Sequence, residues 1–278
     1  MFRTLGLATE KKDDMTVRLI NPDYLRRVAQ APDMAALKQR AYSQLDLVKG
    51  DRVVDVGCGP AIDTLALANI VGATGSVLGI DGDPAMVEAA NQAAVDAGLG
   101  TYIKHVAGDA ARLPVESGSV DALFSERVLQ HITWDRCQAV VNEMFRVLKP
   151  GGRLVIVDTD WATLSVAVHD PLLERRIVAE HSLGFANPYS GRYLLALLRG
   201  ANSPVNDVTA EPIAVRLTYE SARFLLGDTI RRGASAGRLT LPEVHTFIDE
   251  LAGARDYQIW SAHLTLVLAT ATKGNRNG

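Results

Sequence analysis

Arg52-Val-Val-Asp-Val-Gly-Cys-Gly-Pro60 is the stretch on which the reading of this chain turns. Apolar residues at 53, 54 and 56 suit a short buried strand. Two glycines follow, and then the apolar run Ile62 to Val71, so the stretch predicts strand, tight turn and helix. Gly57 and Gly59 let the backbone bend sharply and come close to a ligand. The helix after them begins with unpaired N–H groups that favour binding there. Position 62, where a dinucleotide loop G-x-G-x-x-G needs its third glycine, holds Ile62. The strand also carries an acid, Asp55. That carboxylate repels a pyrophosphate and suits a ligand with an ammonium group.

Outward from the loop, short apolar runs alternate with amphipathic stretches. Strands are expected at Ser76–Ile80, Tyr102–Val106, Val120–Phe124 and Arg153–Val157. A helix over Pro84–Ala97 has Asp83 as N-cap, Pro84 at its first position and Gly98 as its stop. Another, Trp134–Leu148, is opened by Thr133 and closed by Lys149-Pro-Gly-Gly152. Residues 20–46 read as helical from the spacing of Tyr24, Leu25, Val28, Leu37, Tyr42 and Leu45. Segment 159–205 is less regular and long enough to form a lid. Strands at Asn206–Leu217 and Trp260–Lys273 enclose helices near 219–231 and 241–253. The alternation predicts an α/β protein with a mostly parallel sheet and helices on both faces. Such sheets bind ligands beyond the carboxyl ends of their strands, where strand order reverses.

Two further acids sit where that edge is expected. Asp81 ends the second strand and can accept both hydroxyls of a ribose. Asp109, in Gly108-Asp-Ala110, follows the third strand and can accept from an adenine amino group. The implied ligand has an adenosine end and a cationic amino-acid end.

Over residues 45–160 the chain resembles the class I S-adenosylmethionine (SAM)-dependent methyltransferases, in particular the small-molecule branch related to ubiquinone/menaquinone C-methyltransferases. The resemblance rests on Val53-Val-Asp-Val-Gly-Cys-Gly59, Gly79-Ile-Asp81 with Asp83-Pro-Ala-Met86, Gly108-Asp-Ala-Ala-Arg-Leu-Pro114, Phe124-Ser125, Val128-Leu-Gln-His131 and Arg146-Val-Leu-Lys-Pro-Gly-Gly152. It implies a Rossmann-like seven-stranded sheet with a final antiparallel strand, and SAM as cofactor. By the same resemblance Asp55, Gly57, Cys58 and Gly59 face the methionine part. Asp81, with Gly82 and Met86, holds the ribose. Asp109 and Ala110 edge the adenine, and Ser125 and Arg127 lie near the sulfonium.

SAM is already a strong electrophile, so the protein must chiefly align an acceptor and exclude water. A phenol would still gain from a base. His131, after strand four, and Asp160, just past strand five beside Trp161, are the candidate catalytic residues. His181, Tyr189 and Arg192 lie in the irregular segment, where a structural role is the plainer expectation. Phe124-Ser-Glu-Arg127 departs from the Asn/Asp-Pro-Pro-aromatic pattern of base-methylating enzymes. A nicotinamide oxidoreductase is disfavoured by Ile62. A SAM-fold binding protein or cyclase without methyl transfer is the remaining alternative.

The 278 residues are 47% hydrophobic and 22% charged, with a formal net charge of −3. That balance gives no broad attraction to nucleic acid or anionic lipid. Two cysteines make neither a disulfide framework nor a zinc site, and no metal spacing is present. No signal peptide and no apolar run of membrane-spanning length are apparent. The expectation is one cytoplasmic methyltransferase domain, 1–278, acting on a small-molecule acceptor, with no nucleic-acid or membrane partner; a homo-oligomer is compatible with it. Within it, 1–45 would form cap helices, 46–158 the SAM-binding core, and 159–278 a substrate-facing lid and the terminal strands.

Overall fold

The computed structural model describes residues 22–256 and 259–275. Its sheet has seven strands in the order β3-β2-β1-β4-β5-β7-β6. These are β1 (Arg52–Val56), β2 (Ser76–Asp81), β3 (Ile103–Ala107), β4 (Val120–Glu126), β5 (Leu148–Val166), β6 (Val205–Arg216) and β7 (Ala262–Lys273). β1 to β5 run parallel, and β7 lies antiparallel to both β5 and β6. Strand order reverses between β1 and β4, so the switch point falls at the carboxyl end of Asp55–Val56 and Ser125–Glu126.

Alternation along each strand builds two cores. Val53, Phe124, Val155 and Leu266 face one side, with α2 (Pro32–Gln44), α3 (Ile62–Val71), α6 (Pro171–Ser182), α8 (Tyr219–Ser235) and α9 (Leu241–Asp256). Val54, Leu123, Ile156 and Val267 face the other, with α5 (Trp134–Val147) and α7 (Ser190–Arg199). Helices on both faces explain why these strands carry apolar residues in succession. α4 (Pro84–Asp96) crosses from β2 to β3, and Asp83 caps it by accepting from the Ala85 N–H at 2.9 Å.

Three expectations change. The single helical stretch from 20 to 46 is two helices, α1 (Pro22–Gln30) and α2. Pro32 forces the break: Ala31 before it is extended, with ψ at 136°. Residues 20 and 21 lie outside the described residues. β5 is 19 residues long rather than five, because Asp158 to Val166 continue pairing with β7 as far as Val166↔Ala262. The segment from 159 is therefore not irregular. It is the end of β5, then α6, capped by Asp170 through the Leu172 and Leu173 N–H groups, then α7.

Candidate cofactor and acceptor site

The turn after β1 is fastened to β2. The Gly57 and Cys58 N–H groups both donate to the Ile80 carbonyl, at 2.7 and 3.2 Å. Gly57 has φ of 75°, and a Cβ there would lie 2.1 Å from Val128 Cγ2. Ala61, which opens α3, is left-handed at φ 70°, as is Arg127 after β4 at φ 56°. Non-glycine residues held in that region beside a strand switch point mark a backbone constrained by its surroundings.

Asp81 is oriented by the same turn. Its Oδ2 accepts from the Gly59 N–H at 2.8 Å and its Oδ1 from the Asp83 N–H at 2.9 Å. Both oxygens keep lone pairs, and nothing lies within 4 Å of a Cβ built on Gly82. A preset carboxylate beside open space is what a vicinal diol needs.

Asp55 lies beneath, almost fully buried, and its Oδ2 has no partner among the described residues. Beside it is a buried ionic cluster that sequence reading missed. Lys38 of α2 donates to Asp63 Oδ1 at 2.7 Å and to Glu126 Oε2 at 2.5 Å. The Tyr42 hydroxyl donates to Asp63 Oδ1 at 2.5 Å, and Arg127 Nε donates to Glu126 Oε1 at 3.0 Å. Burial pulls the Lys38 ammonium down, but Asp63 and Glu126 outweigh it and hold it above its ordinary value. Two cations here balance two carboxylates, which leaves Asp55 the surplus acid. Burial, and then the charge of Asp63, push its carboxyl well up. A ligand ammonium at Asp55 would supply the missing partner, so this donor set fits the amino-acid end of SAM. These residues come from α2, α3, β1 and the end of β4 with the residue after it, and no local spacing links the four segments.

The other expected cofactor residues are spread around this centre. Cys58 is buried against Gly79, and burial pushes its thiol up, so its backbone rather than its sulfur borders the turn. Met86 is buried in the first turn of α4. Ala110 is half-buried. Asp109 is exposed, accepting from the Ala111 N–H at 2.9 Å and from Arg136 at 2.7 Å. Ser125 is fully buried and its Oγ has no partner among the described residues.

His131 stands at the end of a 3-10 turn, Leu129–His131, after β4. The turn is set by Asp158, a fully buried acid that the sequence did not single out. Asp158 Oδ2 accepts from the Leu129 N–H and its Oδ1 from the Ser190 hydroxyl, both at 2.8 Å. Burial pushes Asp158 up to about 6 against the pull of these donors. The indole Nε1–H of Trp161 can only donate, and it meets Gln130 Oε1 at 2.9 Å. That fixes the Gln130 amide, whose Nε2 then donates to His131 Nε2 at 3.1 Å. The His131 ring faces solvent but is walled by protein. Desolvation, then the charge of Arg127, hold its pKa below the ordinary value against the pull of Asp81. Asp160 has both oxygens engaged by Arg192, at 2.8 and 2.6 Å.

A seven-stranded sheet in this order, with a glycine turn after β1 and an acid closing β2, has the class I SAM-dependent methyltransferase architecture. The family described as "Methyltransferase domain" matches residues 53–152. An uncharacterised 37.1 kDa transposon protein of Streptomyces fradiae is 32% identical over 256 residues, 89% of this chain and 71% of that one. A demethylmenaquinone methyltransferase of Staphylococcus aureus is 34% identical over 144 residues, 52% of this chain. The chain spans 58% of that enzyme's length. Among solved structures, the cyclase SpnF shares the fold at a TM-score of 0.55 and 20% identity, over 88% of this chain and 82% of that one. Over residues 53–152 the chain carries a methyltransferase domain, set in a sheet of the class I SAM-dependent methyltransferase fold. No described helix is long and apolar enough to cross a membrane.

Proposed function

We propose that this protein transfers the methyl group of SAM to an oxygen, carbon or nitrogen of a small organic acceptor in the cytoplasm. The observation that carries the reading is Asp81, gripped from below by two backbone N–H groups and open beside Gly82. Asp81 takes the ribose hydroxyls and Asp55 the ammonium. Gly57 and Gly59, with the Cys58 backbone, line the methionine part. Asp109 and Ala110 edge the adenine, Met86 packs on its face, and Ser125 lies toward the sulfonium. Bound SAM supplies an activated methyl, and the protein's part is alignment, worth about 7–11 kcal/mol of barrier. Calorimetry with S-adenosylhomocysteine tests the site. Asp81→Ala is expected to weaken binding by about 1–3 kcal/mol through lost charge-assisted hydrogen bonds; unchanged affinity would remove the ribose assignment.

His131 lines the way to the sulfonium as an Nδ1–H donor, since its Nε2 lone pair is occupied by Gln130. His131→Gln is therefore expected to lower the transfer rate by less than the roughly hundredfold at which general-base catalysis begins. A loss of 100-fold or more, with a bell-shaped rate profile flattened on one limb, would make it the base. The cyclase-like fold favours one alternative, cofactor binding without transfer. Label from methyl-tritiated SAM appearing in an accepted substrate would decide against that alternative.

A further inference from the structure

Three carboxylates and two cations meet beneath the glycine turn, and they are unequally bonded. Asp63 accepts from Lys38 Nζ at 2.7 Å and from the Tyr42 hydroxyl at 2.5 Å. Glu126 accepts from Lys38 Nζ at 2.5 Å and from Arg127 Nε at 3.0 Å. Both cations thus serve these two acids. Asp55 is 1% exposed, and no donor among the described residues reaches its Oδ2. Its neighbours in register, Gly79 of β2 and Phe124 of β4, carry no side-chain donor.

The charged and titratable groups around Asp55 come from every element packed on it. They are Lys38 and Tyr42 of α2, Asp63 of α3, Asp81 of β2, Glu126 of β4 with Arg127 after it, and Cys58 of the turn. Burial opposes a charge on Asp55 most, and then Asp63; Lys38 favours one, while Glu126 and Asp81 oppose it. The Tyr42 hydroxyl and the Cys58 thiol are pushed up by burial and stay neutral. A buried carboxylate with no cation of its own neutralises by holding a proton rather than stay charged in a low dielectric.

We propose that Asp55 holds a proton in the free protein and loses it to solvent when the cofactor's ammonium arrives beside it, so that cofactor binding is coupled to release of one proton. This rests on the reading above that SAM fills the site. The carboxyl O–H bond breaks, its electron pair stays on Asp55, and the proton goes to water. The ligand keeps its ammonium protons, and nothing is oxidised or reduced. The coupling selects the amino-acid end of the ligand: an adenosine thioether without an ammonium, such as 5′-methylthioadenosine, leaves the proton in place. Because the bound state holds fewer protons, affinity falls as pH falls through the free-state pKa of Asp55 and levels off above it. One competing proton weakens binding by up to about tenfold per pH unit.

Titration calorimetry of the full chain in two buffers of different ionisation enthalpy counts the protons exchanged. The window is about pH 5.5 to 7, below the α-amino range of about 7.7–8.0, so the ligand's own ammonium releases none. S-adenosylhomocysteine is expected to release more protons than 5′-methylthioadenosine, by up to one, and it alone should lose affinity steeply with acid. The second ligand cancels any proton exchanged where the adenosine binds, at Asp81 above all. Asp55→Asn, which keeps the shape but cannot ionise, is expected to abolish the difference. Infrared difference spectra with 13C-labelled aspartate read the same step in the wild type: the C=O stretch of a protonated carboxyl should vanish as S-adenosylhomocysteine binds. Equal proton counts for the two ligands throughout the window, a difference that survives in Asp55→Asn, or no loss of that stretch would overturn the coupling while leaving the cofactor site in place. Failure of both ligands to bind would overturn the cofactor reading, and the coupling with it.

Discussion

Lys38→Met is expected to destabilise the protein by about 3–5 kcal/mol, the range for removing one partner of a buried ion pair. Lys38 is almost fully buried and is shared by Asp63 and Glu126. Without it, two carboxylates and Asp55 crowd one low-dielectric site with only Arg127 to offset them. Methionine supplies the stem volume but no charge, so the loss is electrostatic rather than a cavity. At roughly 2–4 °C per kcal/mol for a chain of this size, the melting temperature should drop by about 10 °C. Lys38→Met combined with Asp63→Asn should regain at least half of that, because one stranded charge goes with its partner. The pH dependence has a defined sign. Burial raises Glu126, but Lys38 and Arg127 outweigh it and hold it below the ordinary glutamate value. A depressed carboxylate stabilises the fold above its unfolded pKa, and that contribution is lost as pH falls through its folded value. The gap between wild type and variant should therefore be full above about pH 4.5 and narrow below it. Thermal melts from pH 3 to 7 showing a constant gap would mean that Lys38 acts by packing alone. Because Lys38 lies on α2, the same substitution should loosen the cap from the core. Faster amide exchange in residues 32–44 than in the sheet would report it.

Gly57→Ala is expected to cost about 2–5 kcal/mol and to weaken S-adenosylhomocysteine binding by 100-fold or more. The stability figure has two parts. Holding an L-residue at φ near 75° costs about 1–2 kcal/mol. Forcing a methyl to 2.1 Å from the branched end of Val128 adds overpacking of about 1–3 kcal/mol. Val128→Ala in the same chain should remove the second part and leave the first, so the double variant should regain stability without regaining full binding. Binding suffers separately, because the turn that fixes Asp81 through the Gly59 N–H must shift. Gly57→Ala that melts and binds like the wild type would show that Val128 swings away freely and that the turn does not hold the cofactor.

Much of the core was legible because its signals are local. β1 to β4 each lie between turn residues, and α4 announces itself with Asp83, Pro84 and Gly98. Asp55, Gly57, Gly59 and Asp81 could be singled out because a strand end and a following turn fix where a side chain sits. The break at Pro32 was also readable, since proline removes an N–H and constrains Ala31; apolar spacing masked it. The far half of β5 was not readable. Asp158-Thr-Asp-Trp161 has no strand pattern of its own and is extended only because β7, about a hundred residues later, pairs with it.

The site divides in the same way. By itself the sequence determined the order of the strands, the glycine turn and the acids flanking it, since these follow from backbone sterics and period over a few residues. Only the tertiary structure decided which charges meet and which lone pairs stay free. Lys38 reaches Asp63 and Glu126 across 25 and 88 residues, and the Thr229 hydroxyl meets His181 Nδ1 across 48. Such contacts depend on how elements far apart in the chain are packed, and a carboxylate or an imidazole acquires its chemistry from that burial and those partners rather than from its neighbours in sequence.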